Sequence, residues 1–161
     1  MVCDEKRKGC SMIKLDARTG GVQYEEARRL MEIAQEARKF AYTPYSHFAV
    51  GAALLCEDDS IITGCNVENA AYSPGNCAER TAIFKAVSEG KRKFSAIAVV
   101  GAKEGEVPTG DSVCTPCGVC RQVMGEFCEA KSFRIYVTDG KELFCYALAE
   151  LLPLAFGPAQ L

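Results

Sequence analysis

The sequence lacks the basic surplus that marks most proteins that bind nucleic acids. Its 161 residues carry 19 Lys and Arg against 21 Asp and Glu, a formal net charge of −2. A polynucleotide-binding domain normally gathers basic residues into a patch or stripe. The best basic cluster here, Lys91-Arg92-Lys93, is short and follows a helix-stopping glycine, which indicates a solvated turn. We therefore expect no nucleic-acid partner.

Long apolar runs are also missing. No segment approaches the ~18 apolar residues of a membrane-spanning helix. Residues 11–22, which follow a basic start, contain no apolar core of the ~7–15 residues that a signal peptide needs. We therefore expect no membrane partner and a cytoplasmic location, where thiols are kept reduced.

Histidine occurs once, at position 47, whereas cysteine occurs ten times. A lone histidine in a loop ahead of a strand favours a structural role over metal binding, because no second histidine is available. Ten cysteines in a reducing compartment indicate metal binding or catalysis before disulfide bonding.

The order of predicted elements indicates an α/β fold. An apolar period of 3.6 predicts a helix from about Tyr24 to Ala41, and Phe48–Cys56 is predicted as a strand buried on both faces. A hairpin and then alternating helices and strands follow, which predicts a three-layer α/β/α sandwich around a mixed five-stranded sheet. We expect residues 1–22 to form a loose N-terminal extension and residues 23–161 a single domain, without internal repeats.

Two short segments contain the residues of a metal site. They are Asn76-Cys77-Ala78-Glu79-Arg80 and Pro116-Cys117-Gly118-Val119-Cys120, each at a predicted helix start. We predict Asn76 as a helix N-cap and Pro116 as a residue of the first turn. Three thiolates from Cys77, Cys117 and Cys120 would leave one position of a tetrahedral Zn²⁺ open for water, as in catalytic zinc sites.

Glu79 distinguishes this pattern from a purely structural zinc site, which would have no use for it. A ligand, one residue, a non-ligand Glu, and then Pro-Cys-x-x-Cys is the pattern of zinc-dependent deaminases, in which the Glu moves protons. Cys114 lies three residues before Cys117 and remains an alternative ligand, although it precedes Pro116 and so lies outside the helix.

From Tyr24 to Leu161 the chain resembles the short, homotetrameric cytidine deaminases. The resembling segments are Tyr45-Ser46-His47-Phe48, Val50-Gly51-Ala52-Ala53-Leu54, Asn66-Val67-Glu68-Asn69-Ala70, Cys77-Ala78-Glu79-Arg80-Thr81-Ala82, Pro116-Cys117-Gly118-Val119-Cys120-Arg121-Gln122, and Leu151-Leu152-Pro153 to Phe156-Gly157-Pro158. The resemblance implies one zinc ion per subunit and hydrolysis of cytidine and 2′-deoxycytidine to uridine, 2′-deoxyuridine and ammonia, in pyrimidine salvage. It also implies a homotetramer whose active sites are shared between subunits.

Carried over residue by residue, the resemblance makes Glu79 the proton shuttle that assists water activated by zinc. It implies that Asn66 and Glu68 bind the ribose hydroxyls. The remaining substrate-binding residues it implies are Phe48, Tyr72, Ala78 and Phe156.

The residues themselves leave alternatives open. Asn66 and Glu68 share a strand face and suit a sugar hydroxyl, or they solvate a strand end. Phe48 alone favours core packing, and Arg80 either withdraws charge from a ligand sulfur or is a surface residue. The apolar tail around Phe156 docks on its own subunit or on a neighbour.

Three other functions also fit parts of the pattern. The first is a deaminase acting on a cytosine-containing antibiotic, which the Asn66/Glu68 pair disfavours. The second is a nucleic-acid-editing deaminase, which the acidic balance disfavours. The third is a zinc-stapled binding module without activity.

Overall fold

The computed structural model describes residues 13–17, 21–109 and 113–161. The elements are β1 (Ile13–Leu15), α1 (Gly21–Arg38), β2 (Phe48–Cys56), β3 (Ile61–Cys65), α2 (Ala78–Ser88), β4 (Phe94–Lys103), α3 (Gly118–Phe127), β5 (Arg134–Thr138), β6 (Leu143–Ala147), α4 (Leu148–Leu151) and a 3-10 turn at Pro158–Gln160. Over these ranges, no helix has the length and apolar character that crossing a bilayer requires.

The strands form one mixed sheet in the order β1-β6-β5-β4-β2-β3. β4 and β5 run parallel, and the other neighbouring pairs run antiparallel. The parallel pair needs a crossover connection, and α3 lies in that connection.

Each face of the sheet is covered by its own apolar cluster, which confirms the predicted α/β/α sandwich. On one face α1 packs through Ala27, Leu30 and Ala34 against the sheet. On the other face α2 and α3 pack through residues that include Ile83 and Met124. β2 contributes to both clusters, because alternate residues of a strand point to opposite faces. The prediction that β2 is buried on both sides is therefore confirmed.

The sheet has six strands, so the prediction of five was wrong. The additional strand is β1, where Ile13–Leu15 pair antiparallel with β6 and Leu15 is buried. Three residues with a lysine in the middle are too short a pattern to predict a strand. The pairing depends on the edge of β6, which lies some 130 residues away along the chain. Residues 1–12 and 18–20, which belong to the predicted loose extension, lie outside the described residues, and the domain boundary at residue 22 stays a prediction.

The helix starts differ from the sequence prediction in a way that matters for the site. Cys77 is the N-cap of α2 and Cys117 is the N-cap of α3, so the predicted cap at Asn76 and the predicted place of Pro116 in the first turn were wrong. The Asn76 side chain instead donates to the Thr81 hydroxyl at 3.1 Å. Two cysteines therefore lie at helix N-termini, where unpaired N–H groups and the positive end of the helix dipole favour thiolates.

Candidate metal centre and substrate cavity

The three predicted ligand cysteines meet on one side of the sheet. Their sulfur atoms all lie within 4.8 Å of one another. The Cys77 and Cys117 sulfurs are 3.8 Å apart, and those of Cys117 and Cys120 are 3.5 Å apart. Cys120 is fully buried and anchors the cluster in the core, whereas Cys117 is exposed.

This arrangement fits zinc. Tetrahedral Zn²⁺ holds thiolates at about 2.3 Å, which puts neighbouring sulfurs about 3.8 Å apart. The hydrogen bond from the Cys120 thiol, assisted by the Arg80 guanidinium, lowers the pKa of Cys77 to about 5. The pKa of Cys120 is raised in turn, chiefly because its thiol donates to Cys77. A divalent cation that prefers sulfur ligands can displace the protons of three such neighbouring thiols and bind the resulting thiolates.

Glu79 lies in the first turn of α2, two residues after Cys77. The residue is only 4% exposed, which is unusual for a carboxyl group that has no ion pair with the described residues. Burial is the main cause that raises the pKa of Glu79, and the neighbouring Cys77 thiolate raises it further. A buried carboxyl with a raised pKa beside a metal site is a typical proton-transfer group.

Arg80 connects the thiol cluster to the protein around it. Its Nη2 donates to the Cys77 sulfur at 3.7 Å and to the Gly75 carbonyl at 3.5 Å. Its Nε is buried and has no hydrogen-bond partner among the described residues. The sequence predicts a contact of this kind between Arg80 and a ligand sulfur, and Arg80 is half-buried. Its role in withdrawing charge from the sulfur stays a prediction.

A cavity of about 410 Å³ opens beside the cluster. Its lining residues are Tyr45, Ser46, Asn66, Val67, Glu68, Asn69, Tyr72, Gly75, Asn76, Cys77 and Arg80. Of the predicted substrate-binding residues, Asn66, Glu68 and Tyr72 line it, while Phe48, Ala78 and Phe156 are not among its lining residues. The cavity is large enough for a nucleoside-sized ligand.

Asn66 and Glu68 both project from the segment after β3, but their side chains are already partly engaged. Asn66 accepts from the Val50 N–H at 2.8 Å and donates to the Phe48 carbonyl at 2.9 Å. Glu68 accepts from the N–H groups of Tyr45 and Ser46 at 3.0 and 3.2 Å and from the Ser46 hydroxyl. Each side chain therefore positions backbone and retains limited hydrogen-bonding capacity for a ligand.

Phe48 begins β2 and lies over a glycine of the neighbouring strand. A Cβ at Gly101 would stand 2.8 Å from the Phe48 ring and 2.7 Å from the Cys114 sulfur. The absence of a side chain at Gly101 is thus what lets this ring and this thiol approach β4. Cys114 packs here and is not a member of the thiol cluster formed by Cys77, Cys117 and Cys120.

The C-terminal tail is only partly docked on its own chain. Leu151 and Leu152 pack on the core, whereas Leu154 and Phe156 are 104% and 61% exposed. The Gln122 side chain donates to the Phe156 carbonyl at 2.8 Å, and Phe156 itself stays largely exposed. Within one chain, the structure does not bring Phe156 into the cavity.

Sequence reasoning missed Ser46 and Arg121. Arg121 donates to the carbonyls of Pro116 at 2.7 Å and Leu151 at 3.0 Å, so it ties the segment before Cys117 to α4. Both residues belong to the resembling segments, but only tertiary contacts show what their side chains bind.

The fold and the thiol cluster belong to a described family. Residues 24–136 match the model of the cytidine and deoxycytidylate deaminase zinc-binding region. The chain therefore belongs to this family of zinc-dependent hydrolases, which confirms the family and the zinc expected from the sequence.

Individual relatives agree. The chain is 50% identical over 137 residues to a cytidine deaminase of Sporosarcina psychrophila, which covers 84% of this chain and 95% of the relative. It is 48% identical over 132 residues to a cytidine deaminase of Halalkalibacterium halodurans, covering 81% and 94%. The crystal structure of cytidine deaminase from Burkholderia pseudomallei superimposes with a TM-score of 0.71 at 45% identity, over 80% of this chain and 98% of that one.

Proposed function

We propose that this protein hydrolyses cytidine and 2′-deoxycytidine to uridine and 2′-deoxyuridine with release of ammonia, in cytoplasmic pyrimidine salvage. The observation that carries the proposal is the buried carboxyl group of Glu79 beside a three-thiol cluster whose Cys77 lines a nucleoside-sized cavity. The names of the relatives support the substrate class.

Cys77, Cys117 and Cys120 would hold one zinc ion per subunit. When bound, zinc supplies a polarised water that attacks at neutral pH. The N-termini of α2 and α3 and the Arg80 guanidinium offset the surplus negative charge of three thiolates.

Glu79 would move the protons of the reaction. Its carboxylate accepts a proton from the attacking water and transfers it to the ring nitrogen next to the amino-bearing carbon. It then takes the second proton of the same oxygen, now bonded to that carbon, and delivers it to the departing amine, so that the carbonyl forms as ammonia leaves. Burial excludes bulk water from the carboxylate, so the proton is passed to the substrate rather than lost to solvent.

The remaining predicted residues would bind the nucleoside. Asn66 and Glu68 would bind the sugar hydroxyls from the cavity wall, and Tyr72 would line the same cavity. Phe48 would pack on the pyrimidine. Ala78 is fully buried at the start of α2, so its contribution would come from its backbone.

Cytidine is expected to be preferred over free cytosine by at least about 100-fold in kcat/KM, because a site built to bind hydroxyls rejects an analogue that lacks them. The measurement is the loss of ultraviolet absorbance on deamination, with purified protein of known zinc content. Equal kcat/KM for nucleoside and base would contradict sugar recognition. Zinc-loaded protein inactive on every cytosine compound would instead support a binding module.

We also propose a homotetramer in which neighbouring subunits complete each other's sites. The aromatic ring of Tyr72 and the tail residues Leu154 and Phe156 are largely exposed in one chain. Burying such side chains stabilises by about 1.5–3 kcal/mol each, which favours covering them with another subunit. The structure leaves Phe156 outside its own cavity, so a neighbour's Phe156 is the candidate that covers the base.

Mixing two inactive variants tests this arrangement. Glu79→Gln and a truncation before Phe156 should regain activity once their subunits exchange, because mixed oligomers combine an intact Glu79 with an intact tail. Sedimentation should show the parent protein as a tetramer. An active monomer, or no recovery of activity after confirmed exchange, would refute the shared site.

A further inference from the structure

The loop before β2 is folded back onto the segment that carries Glu68. The Tyr42 N–H donates to the Asn66 carbonyl at 3.0 Å, and the Glu68 N–H donates to the Tyr42 carbonyl at 2.9 Å. This short parallel bridge brings Tyr45 and Ser46 above the Glu68 carboxylate. Backbone hydrogen bonds alone therefore hold the two segments next to each other.

The Glu68 carboxylate is held almost entirely by this loop. One oxygen accepts from the N–H groups of Tyr45 and Ser46, and the other accepts from the Ser46 hydroxyl. An ionised carboxylate offers about four acceptor positions. Contacts within the described part of the chain occupy three of them, and the fourth is available to a ligand in the cavity that Glu68 lines.

The Ser46 hydroxyl has a defined orientation. Its oxygen accepts the Phe48 N–H at 3.1 Å, so its own proton is directed to Glu68. A serine hydroxyl has one donor and two acceptor positions. Ser46 therefore links the first residue of β2 to the carboxylate, and the start of the strand determines where the carboxylate lies.

The turn between Ser46 and Phe48 is specified by further contacts. His47 has φ of 53°, a left-handed conformation that few non-glycine residues adopt. The His47 N–H donates to the Thr43 carbonyl at 3.0 Å, and the Glu104 N–H donates to the His47 carbonyl at 2.8 Å. A strained left-handed conformation persists only where surrounding contacts stabilise it, and the two backbone hydrogen bonds of His47 supply such contacts.

We infer that Ser46 is a positioning residue for sugar recognition: it fixes the Glu68 carboxylate against β2 so that its remaining acceptor position faces the cavity. The inference rests on the proposed nucleoside substrate. The Ser46 hydroxyl is also the main cause that lowers the pKa of Glu68, which keeps the carboxylate ionised as an acceptor for a hydroxyl donor.

The test compares Ser46→Ala with Ser46→Thr, which retains the hydroxyl. Ser46→Ala should lower kcat/KM for cytidine about tenfold, the size of a lost hydrogen bond to a charged group, mainly through KM. It should leave kcat/KM for 2′,3′-dideoxycytidine unchanged, because that nucleoside has no 2′ or 3′ hydroxyl for Glu68. Ser46→Thr should restore most of the loss. The double variant Ser46→Ala/Glu68→Gln should be no worse than Glu68→Gln alone, because the two residues act as a unit.

Ser60→Ala is the matched control. The Ser60 hydroxyl also donates to a carboxylate, that of Asp58 at 2.6 Å, but in the β2–β3 turn away from the cavity. Its kinetics should equal those of the parent. Thermal unfolding of all variants separates a positioning effect from a loss of fold.

The outcomes distinguish this inference from the proposed function. Cytidine turnover by the parent protein tests the function itself. Calorimetric affinity for uridine tests Ser46 without turnover, and Ser46→Ala should weaken it by the same factor. Equal losses for cytidine and dideoxycytidine, no loss for either, or unchanged uridine affinity would overturn the role of Ser46.

Discussion

Glu79→Gln is expected to lower cytidine turnover by at least about 100-fold, the lower range for removal of a general acid–base group. Glutamine has the same shape as glutamate, but its amide cannot take up a proton. The zinc content should stay at that of the parent, because Glu79 lies outside the three-thiol cluster. Steady-state deamination and a zinc assay on the same preparation measure both quantities.

The fold of this variant should be at least as stable as that of the parent. Glu79 is 4% exposed, and burying an ionised carboxylate is unfavourable, so a neutral amide removes a destabilising charge. Glu89→Gln, at the exposed C-cap of the same helix, is the matched control and should behave as the parent. Turnover of Glu79→Gln within a few-fold of the parent would remove Glu79 from the mechanism.

Cys120→Ala is expected to abolish both zinc binding and activity. Cys120 is the fully buried member of the cluster, and two thiolates do not complete a three-ligand site. The midpoint of thermal unfolding should also fall, because zinc that binds only the folded chain stabilises it. Atomic absorption, deamination and calorimetric unfolding measure the three effects.

Cys114→Ala is the control that separates a ligand from a neighbouring thiol. The Cys114 sulfur lies against Gly101 of β4, and Cys114 is not part of the group of three sulfurs that lie within 4.8 Å of one another. The variant should keep its zinc. Loss of zinc from Cys114→Ala together with retention by Cys120→Ala would exchange the assignments of the two cysteines.

The chemistry of the site was largely predictable from the sequence, because it depends on residue types at short spacings. Cys117 and Cys120 are three residues apart at a helix start, so local geometry alone puts their sulfurs on one side. Glu79 was recognisable because three thiolates and a water already complete a tetrahedral zinc site, so the Glu is not needed as a ligand. The structure brings the distant Cys77 to the same point, at 3.8 Å from Cys117.

Positions that depend on distant partners were not predictable in the same way. β1 was missed because its pairing energy comes from β6, and Asn76 was expected to cap α2, where Cys77 is the cap. Phe156 was assigned to a substrate site, yet one chain leaves it in solvent. Its role stays a prediction that only an assembly of chains can test.

The sequence by itself determined the α/β/α class, the donor atoms and the buried character of β2, since all three follow from periodicity and residue chemistry over a few residues. The tertiary structure alone decided how much of each polar side chain remains for a ligand. From the sequence, Asn66 and Glu68 are expected to be free to bind a sugar. In the folded chain, most of their hydrogen bonds are made to the loop at Tyr45–Phe48 and to the start of β2. The physical reason is that hydrogen-bonding capacity is finite, and the partners that occupy it come from segments about 20 residues away that only the folded chain brings into contact.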